Sequence, residues 1–176
     1  MPLKFPISET DHAFGNANAP IELLEYGDYQ CPFCGQAYPI IKWIQTQLGN
    51  DLRFIYRNFP LSKTHPQAKQ AAIASEAAAR QDKFWQMHDL LFEHQKRLHT
   101  TQLIEYAQQL ELDIEKFRAD MDDAQLAKKV ESDFYGGMRS GVNATPTFFV
   151  NGEKYKDSWQ DGEIFLKNLR ALNLVS

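Results

Sequence analysis

Apolar positions recur along this chain with two different periods, and the switches between them divide it into elements. Ile21-Glu22-Leu23-Leu24-Glu25-Tyr26 is a short apolar-rich run stopped by Gly27-Asp28, which predicts a buried strand. After it, apolar residues at 37, 40, 41, 44 and 48 form a helical stripe. Pro32 suits the first turn of that helix, where a missing N–H costs nothing. Pro39 falls inside the helix and predicts a kink. Gly49-Asn50 supplies the stop, and Leu52-Arg53-Phe54-Ile55-Tyr56-Arg57 reads as a second strand. Residues 1–20 are polar, carry Pro2, Pro6, Gly15 and Pro20, and read as an irregular lead-in.

From Pro66 to Pro146 no proline intervenes and helix formers dominate. Stop and start signals near Gln81-Asp82, His99-Thr100, Leu112-Asp113 and Asp122-Asp123 predict four or five helices over 62–140, the first opening with Pro66. Leu126, Val130, Phe134 and Met138 give the last helix an apolar face, while Gly136-Gly137 and Gly141 loosen and end it. Thr147-Phe148-Phe149-Val150 reads as a strand, Asn151-Gly152 as a two-residue hairpin turn, and Glu153-Lys154-Tyr155-Lys156 as the return strand. Ile164, Leu166, Leu169 and Leu172 belong to a closing helix that starts near Asp161. The order is therefore β–α–β, an all-helical block, then β–β–α.

Length and charge narrow the class. A chain of 176 residues buries about 70% of its unfolded surface, enough for one core. No apolar run is long enough to span a bilayer. Nineteen basic against 23 acidic residues, with no Lys/Arg block, argue against nucleic acid as a partner. Met1-Pro2-Leu3-Lys4-Phe5-Pro6 has no apolar stretch of signal-peptide length. The chain as given is expected in the cytoplasm, or in the periplasm if it is a trimmed mature form.

The two cysteines, Cys31 and Cys34, change the picture most. They supply no disulfide framework, but their C-x-x-C spacing is one that random placement rarely produces. A structural zinc needs four ligands, and the nearest suitable pair, His94 and His99 with His88 close by, lies over 50 residues downstream; no metal is expected. A strand that runs into C-x-x-C at a helix start makes an anion site from free N–H groups and the helix dipole. The Cys31 thiol should fall from about 8.5 into the range of about 3.5 to 7.5 and act as nucleophile. Cys34, one turn in and more buried, suits a resolving cysteine. Phe33 between them adds neither charge nor hydrogen bond. Thr145-Pro146 precedes an apolar strand, and the base rate for X–Pro bonds favours trans.

These residues resemble the thioredoxin superfamily and, within it, the DsbA-like thiol–disulfide oxidoreductases. The resemblance rests on the strand followed by Cys31-Pro32-Phe33-Cys34, on Pro39 five residues past the second cysteine, on Gly141-Val142-Asn143-Ala144-Thr145-Pro146-Thr147-Phe148, and on the Asn151-Gly152 hairpin with its closing helix. Tyr26-Gly27-Asp28-Tyr29-Gln30 and the later Phe59-Pro60-Leu61 with His65-Pro66 are similar to a bacterial DsbA-like subgroup. It implies a thioredoxin fold (1–61 and 141–176) with an inserted helical domain (62–140), a cis Pro146, and disulfide exchange with protein substrates. It also implies that Thr145 hydrogen-bonds a bound peptide, beside Pro146, Pro32 and Phe33, and that its hydroxyl reaches Cys31. Glu25 matches the position of a buried acid that relays a proton to Cys34, although a solvated strand-end carboxylate is an equal reading.

No metal, nucleotide or organic cofactor is implied. The partners would be protein thiols and disulfides, with a redox protein or glutathione to recycle the pair, and the chain is expected to be a monomer. Oxidase, reductase and isomerase share these residues, so direction stays open. Phe33 stands where the best-known periplasmic oxidase has His, which should make the disulfide less oxidising. A glutathione-linked transferase of the same fold lacks the paired cysteines. A redox-sensing or binding domain without turnover is the remaining alternative. Tyr29 and Phe33 are expected to form an apolar rim, the tryptophans with Phe54, Phe84 and Phe92 to be core, and His65 to be a cap or surface residue.

Overall fold

The structure is a computed structural model that describes residues 1–173; the last three residues of the predicted C-terminal segment lie outside the described residues. Five strands form one sheet: β1 (His12–Gly15), β2 (Ile21–Gly27), β3 (Leu52–Asn58), β4 (Thr147–Val150) and β5 (Glu153–Lys154), in the order β1-β3-β2-β4-β5. β2 and β3 are parallel, joined through helix α1 (Pro32–Leu48), with Glu25 opposite Tyr56; β4 lies antiparallel to β2, with Phe148 opposite Glu25. The helices α2 (Ala68–Ala79), α3 (Phe84–Glu93), α4 (Thr100–Gln109), α5 (Ile114–Met121) and α6 (Ala124–Arg139) all fall between β3 and β4, and α7 (Gly162–Asn173) closes the chain.

The alternation of side chains along the strands sorts the core into two layers. Ile21 and Leu23 of β2, Leu52, Phe54 and Tyr56 of β3, and Phe148 and Val150 of β4 pack with α1, α3 and α7 in the larger cluster. Leu24, Tyr26, Ile55 and Phe149 point the other way and pack with Phe59, Val142 and, at the margin, Phe134 of α6. Glu25 therefore faces the α1 layer, among residues that are all apolar or aromatic at the strand level. The helical block does not form a core of its own: Ala72, Met87, Leu91, Leu103 and Phe117 join the same cluster as the strands.

Several expectations are corrected. The lead-in contains β1, which pairs antiparallel to β3 from His12–Tyr56 to Gly15–Arg53. Its side chains are mostly exposed, so it carries no apolar signature and is held by the ladder instead. Pro66 lies in the turn before α2, which begins at Ala68. The return strand stops at Lys154. Gly136 and Gly137 do not loosen α6, which continues to Arg139. A Cβ on Gly137 would sit 2.8 Å from Phe59 and 2.9 Å from Tyr26, so glycine here permits close packing of the helix on the sheet. Met138, placed on the apolar face, is exposed, as is Ile164 of α7, where Phe165 is buried instead. The hairpin stands as expected: Asn151 and Gly152 both have positive φ, +48° and +80°.

Candidate active site

The site stands where β2 ends. Gly27 closes the strand, Asp28-Tyr29-Gln30 turn the chain, and Cys31 becomes the N-cap of α1 with Pro32 as its first helical residue. Cys31 has extended backbone angles, φ −70° and ψ 123°, and its carbonyl accepts the first helical bond from the Gly35 N–H at 3.1 Å. Both thiols are free. Cys31 is 4% exposed and Cys34 fully buried. From across the sheet the 144–147 loop brings Thr145, whose peptide bond to Pro146 is cis, and the Cys31 thiol donates to the Thr145 carbonyl at 3.4 Å.

The two thiols are driven apart in acidity. The Cys31 thiol is lowered from its ordinary value of 9.0 to about 5. A hydrogen bond from the Cys34 thiol contributes most; burial works against it, and the Thr145 side chain with the N–H groups of Cys34 and Phe33 add to the lowering. The Thr145 hydroxyl has no hydrogen-bond partner in the thiol geometry among the described residues, which leaves it available to a thiolate. Burial, and the role of donor to Cys31, push the Cys34 thiol well above its ordinary value, although the Asp28 N–H bonds its sulfur at 3.4 Å. One cysteine is thus a thiolate at neutral pH and the other a thiol.

Glu25 is 2% exposed, which settles the two readings of it in favour of burial. Desolvation, then the charge of Cys31, raises its carboxyl from 4.5 to about 8. Its Oε1 has no hydrogen-bond partner among the described residues. The same side chain lines a cavity of about 200 Å³ between α1 and α3, with Tyr38, Lys42, His88 and Asp89. The cavity is walled by Phe14, Ile41, Phe54, Trp85 and Phe92 as well as by these polar groups, and it is roomy enough for several waters at about 30 Å³ each. Lys42 and Asp89 form a half-exposed ion pair at 3.2 Å on its wall, and burial keeps His88 neutral, at about 3.

Pro32 and Phe33 are exposed beside Cys31, Phe33 at 54%. The expected apolar rim loses Tyr29, which is 1% exposed. Its ring turns inward between Tyr56 and Phe92, and its hydroxyl bonds His88 Nδ1 at 3.0 Å. His65 is neither cap nor surface residue: its Nδ1 meets the fully buried Asp28 carboxylate at 2.7 Å. Asp28 and Gln95, both at the site, carried no signal of their own in the sequence. Asp28 stood in a recognised stretch, whereas Gln95 reaches the site only through the packing of the helical block.

Residues 7–168 match a family model described as Thioredoxin. Among solved structures, oxidised BdbD from Bacillus subtilis is similar with a TM-score of 0.83 at 26% identity, covering 94% of each chain. A thioredoxin-like oxidoreductase from Silicibacter pomeroyi (TM-score 0.83, 21% identity, 96% of this chain and 95% of that one) and Wolbachia pipientis alpha-DsbA1 (0.81, 20%, 98% and 96%) share the fold. Among curated proteins, the Na(+)/H(+) antiporter NhaA 1 of Salinispora arenicola is 43% identical over 151 residues, 86% of this chain but only 23% of that protein. The chain thus spans about a quarter of the length of the curated relatives it matches, and among its described residues no helix is long and apolar enough to cross a membrane.

Proposed function

Because the chain belongs to the thioredoxin family, within its DsbA-like group, we propose that it is an enzyme exchanging disulfides with protein substrates through Cys31 and Cys34. The observation that carries this reading is the geometry of two free thiols one helical turn apart, Cys31 as the N-cap of α1 with its thiol against the Thr145 carbonyl and Cys34 fully buried behind it, an arrangement that drives their acidities apart. In the reducing direction the Cys31 thiolate attacks one sulfur of a substrate disulfide, and the other substrate sulfur leaves as a thiolate. Cys34 then loses its proton and attacks Cys31 Sγ. The second substrate thiolate departs and the Cys31–Cys34 disulfide remains. In the oxidising direction the same steps reverse, and Cys31 is the leaving group that releases the oxidised substrate. A thiolate at about 5 stabilises the dithiol state and favours that direction.

Glu25 suits the proton step. A carboxyl at about 8 is held poised near neutral pH, and the cavity beside it supplies a way out for the proton. Thr145 and Pro146 are assigned to align an extended substrate peptide, with Pro32 and Phe33 on the apolar side. An open groove of about 500 Å³ lined by Pro39, Ile40, Trp43 and Gln160–Glu163 lies between α1 and the start of α7. Recycling falls to a redox protein or glutathione, and the chain is assigned as a monomer. The test is turnover: the protein should speed reduction of insulin by dithiothreitol and oxidative refolding of a reduced, unfolded substrate. Acceleration of neither would place it with the sensing or binding domains instead.

The charge states give a second expectation. In the fold Glu25 holds its proton up to about 8 instead of 4.5, so its contribution to stability falls as pH rises between those values. Cys31 gives up its proton at about 5 instead of 9.0, so its contribution rises over that span. The two oppose each other between pH 5 and 8. In Glu25→Gln the opposing Glu25 contribution is gone, and urea unfolding of the reduced protein should show stability rising with pH across this window more steeply than in the wild type. Identical profiles would mean that Glu25 is not held protonated.

A further inference from the structure

Four consecutive residues before and at the helix start are each tied to the helical block. The Asp28 carboxylate accepts from Gln30 N–H and Leu61 N–H, both at 2.8 Å, and pairs with His65 at 2.7 Å. Gln30 Oε1 accepts from the Gln67 N–H at 2.8 Å. Gln95, in the turn between α3 and α4, uses its whole amide NH₂: one Nε2 donates to the carbonyls of both Tyr29 and Cys31, each at 2.9 Å. The Gln95 Oε1 fills the space where a Cβ on residue 35 would stand, so a larger residue at Gly35 would displace the Gln95 side chain.

The chemistry of Cys31 depends on this loop being held. Its thiolate is stabilised by N–H groups of the first turn, and their direction is set by the peptide planes of residues 31–34. The Cys31 carbonyl takes the first helical bond and the Gln95 bond at once. The Asp28 peptide, whose N–H bonds Cys34, is fixed at its side chain by His65. We propose that Gln95 is a positioning residue for disulfide exchange, and that the helical block, through Gln95 and His65, sets how oxidising the Cys31–Cys34 pair is. This rests on the exchange reading given above. It assigns the block a role in the reaction that substrate binding alone does not require. Gln95 touches no reacting atom; it acts through the two carbonyls.

The test compares Gln95→Ala, Gln95→Glu, which keeps the shape and removes both donors, His65→Ala, and Lys96→Ala as a control in the same turn. Each is equilibrated with glutathione, the rate of Cys31 alkylation is followed against pH, and the melting temperature is measured. Both Gln95 variants should shift the equilibrium toward the disulfide by about tenfold, about 30 mV for this two-electron couple. Their alkylation midpoint should move to higher pH, most in Gln95→Glu, where a carboxylate faces two carbonyls. His65→Ala should shift in the same direction, and Lys96→Ala should match the wild type. Gln95 variants with the wild-type equilibrium and alkylation profile, whatever their melting temperature, would overturn the proposal, as would an equal shift in Lys96→Ala. A wild type that exchanges with glutathione while the Gln95 variants are unchanged sinks the positioning role alone; a wild type that does not exchange sinks the exchange reading and the positioning role together.

Discussion

Cys31→Ser is expected to lose at least about 10³-fold of the activity in insulin reduction, because no other side chain at the site is a nucleophile at neutral pH. Cys34 does not substitute for it. Burial holds its thiol protonated and out of reach of a protein substrate. Cys34→Ser should behave differently. Cys31 keeps its place at the helix N-terminus and its hydrogen bonds from the Cys34 and Phe33 N–H groups, so the first attack proceeds. The second does not, and mixed disulfides between Cys31 and substrate accumulate, visible on non-reducing gels and by mass spectrometry. If Cys31→Ser trapped substrates and Cys34→Ser did not, the two roles would be reversed.

Arg57→Met is expected to give the largest loss of stability away from the site. All five guanidinium N–H groups of Arg57 are used. Nε and Nη2 each meet the Asp11 carboxylate at 2.7 Å, Nη1 donates to the Phe5 carbonyl at 2.9 Å and to the Tyr26 hydroxyl at 3.0 Å, and Nη2 donates to the Pro6 carbonyl at 3.1 Å. Both side chains of the ion pair are almost wholly buried. Burial works against the Asp11 charge, but the Arg57 bonds outweigh it and hold that carboxyl below its ordinary value. Methionine would fill the volume and strip the buried carboxylate of its ion-pair partner, leaving only the Ser8 N–H and the more distant charge of Lys129, a loss of about 3–5 kcal/mol. At roughly 2–4 °C per kcal/mol for a chain of this size, the melting temperature should fall by about 10 °C. Arg57→Met/Asp11→Leu, which removes the stranded charge as well, should recover much of that. A melting point of Arg57→Met within a degree or two of the wild type would show that the pair contributes little.

What the sequence made legible follows physical lines. The strand into Cys31, the helix behind it and the hairpin at Asn151-Gly152 are local patterns with local causes, and all are present. Of the four breaks in the helical block, two are caps of the same local kind: Asp113 and Asp123 accept hydrogen bonds from the first turns of α5 and α6, whereas Lys83 and His99, at the starts of α3 and α4, make no side-chain cap. β1 was hidden because an edge strand with exposed side chains has no periodic signal. Tyr29 was misplaced because a turn residue's side chain can point either way, and only the packing of Tyr56, Phe92 and His88 decides it. Glu25 stood between two readings until β3, β4 and α1 closed over it. Gln95 and His65 reach residues 28–31 from 37 or more positions away in sequence, and no local pattern foretells such a contact.

The most direct measurement is the equilibrium of the Cys31–Cys34 pair with glutathione, read by alkylation and mass spectrometry. A stabilised Cys31 thiolate predicts a pair that forms and breaks its disulfide reversibly, at a potential above the roughly −270 mV of thioredoxin, between there and about −120 mV. A pair that forms no intramolecular disulfide, or one at or below about −270 mV, would contradict the account: the first would remove the exchange chemistry, the second the thiolate stabilisation on which its direction depends.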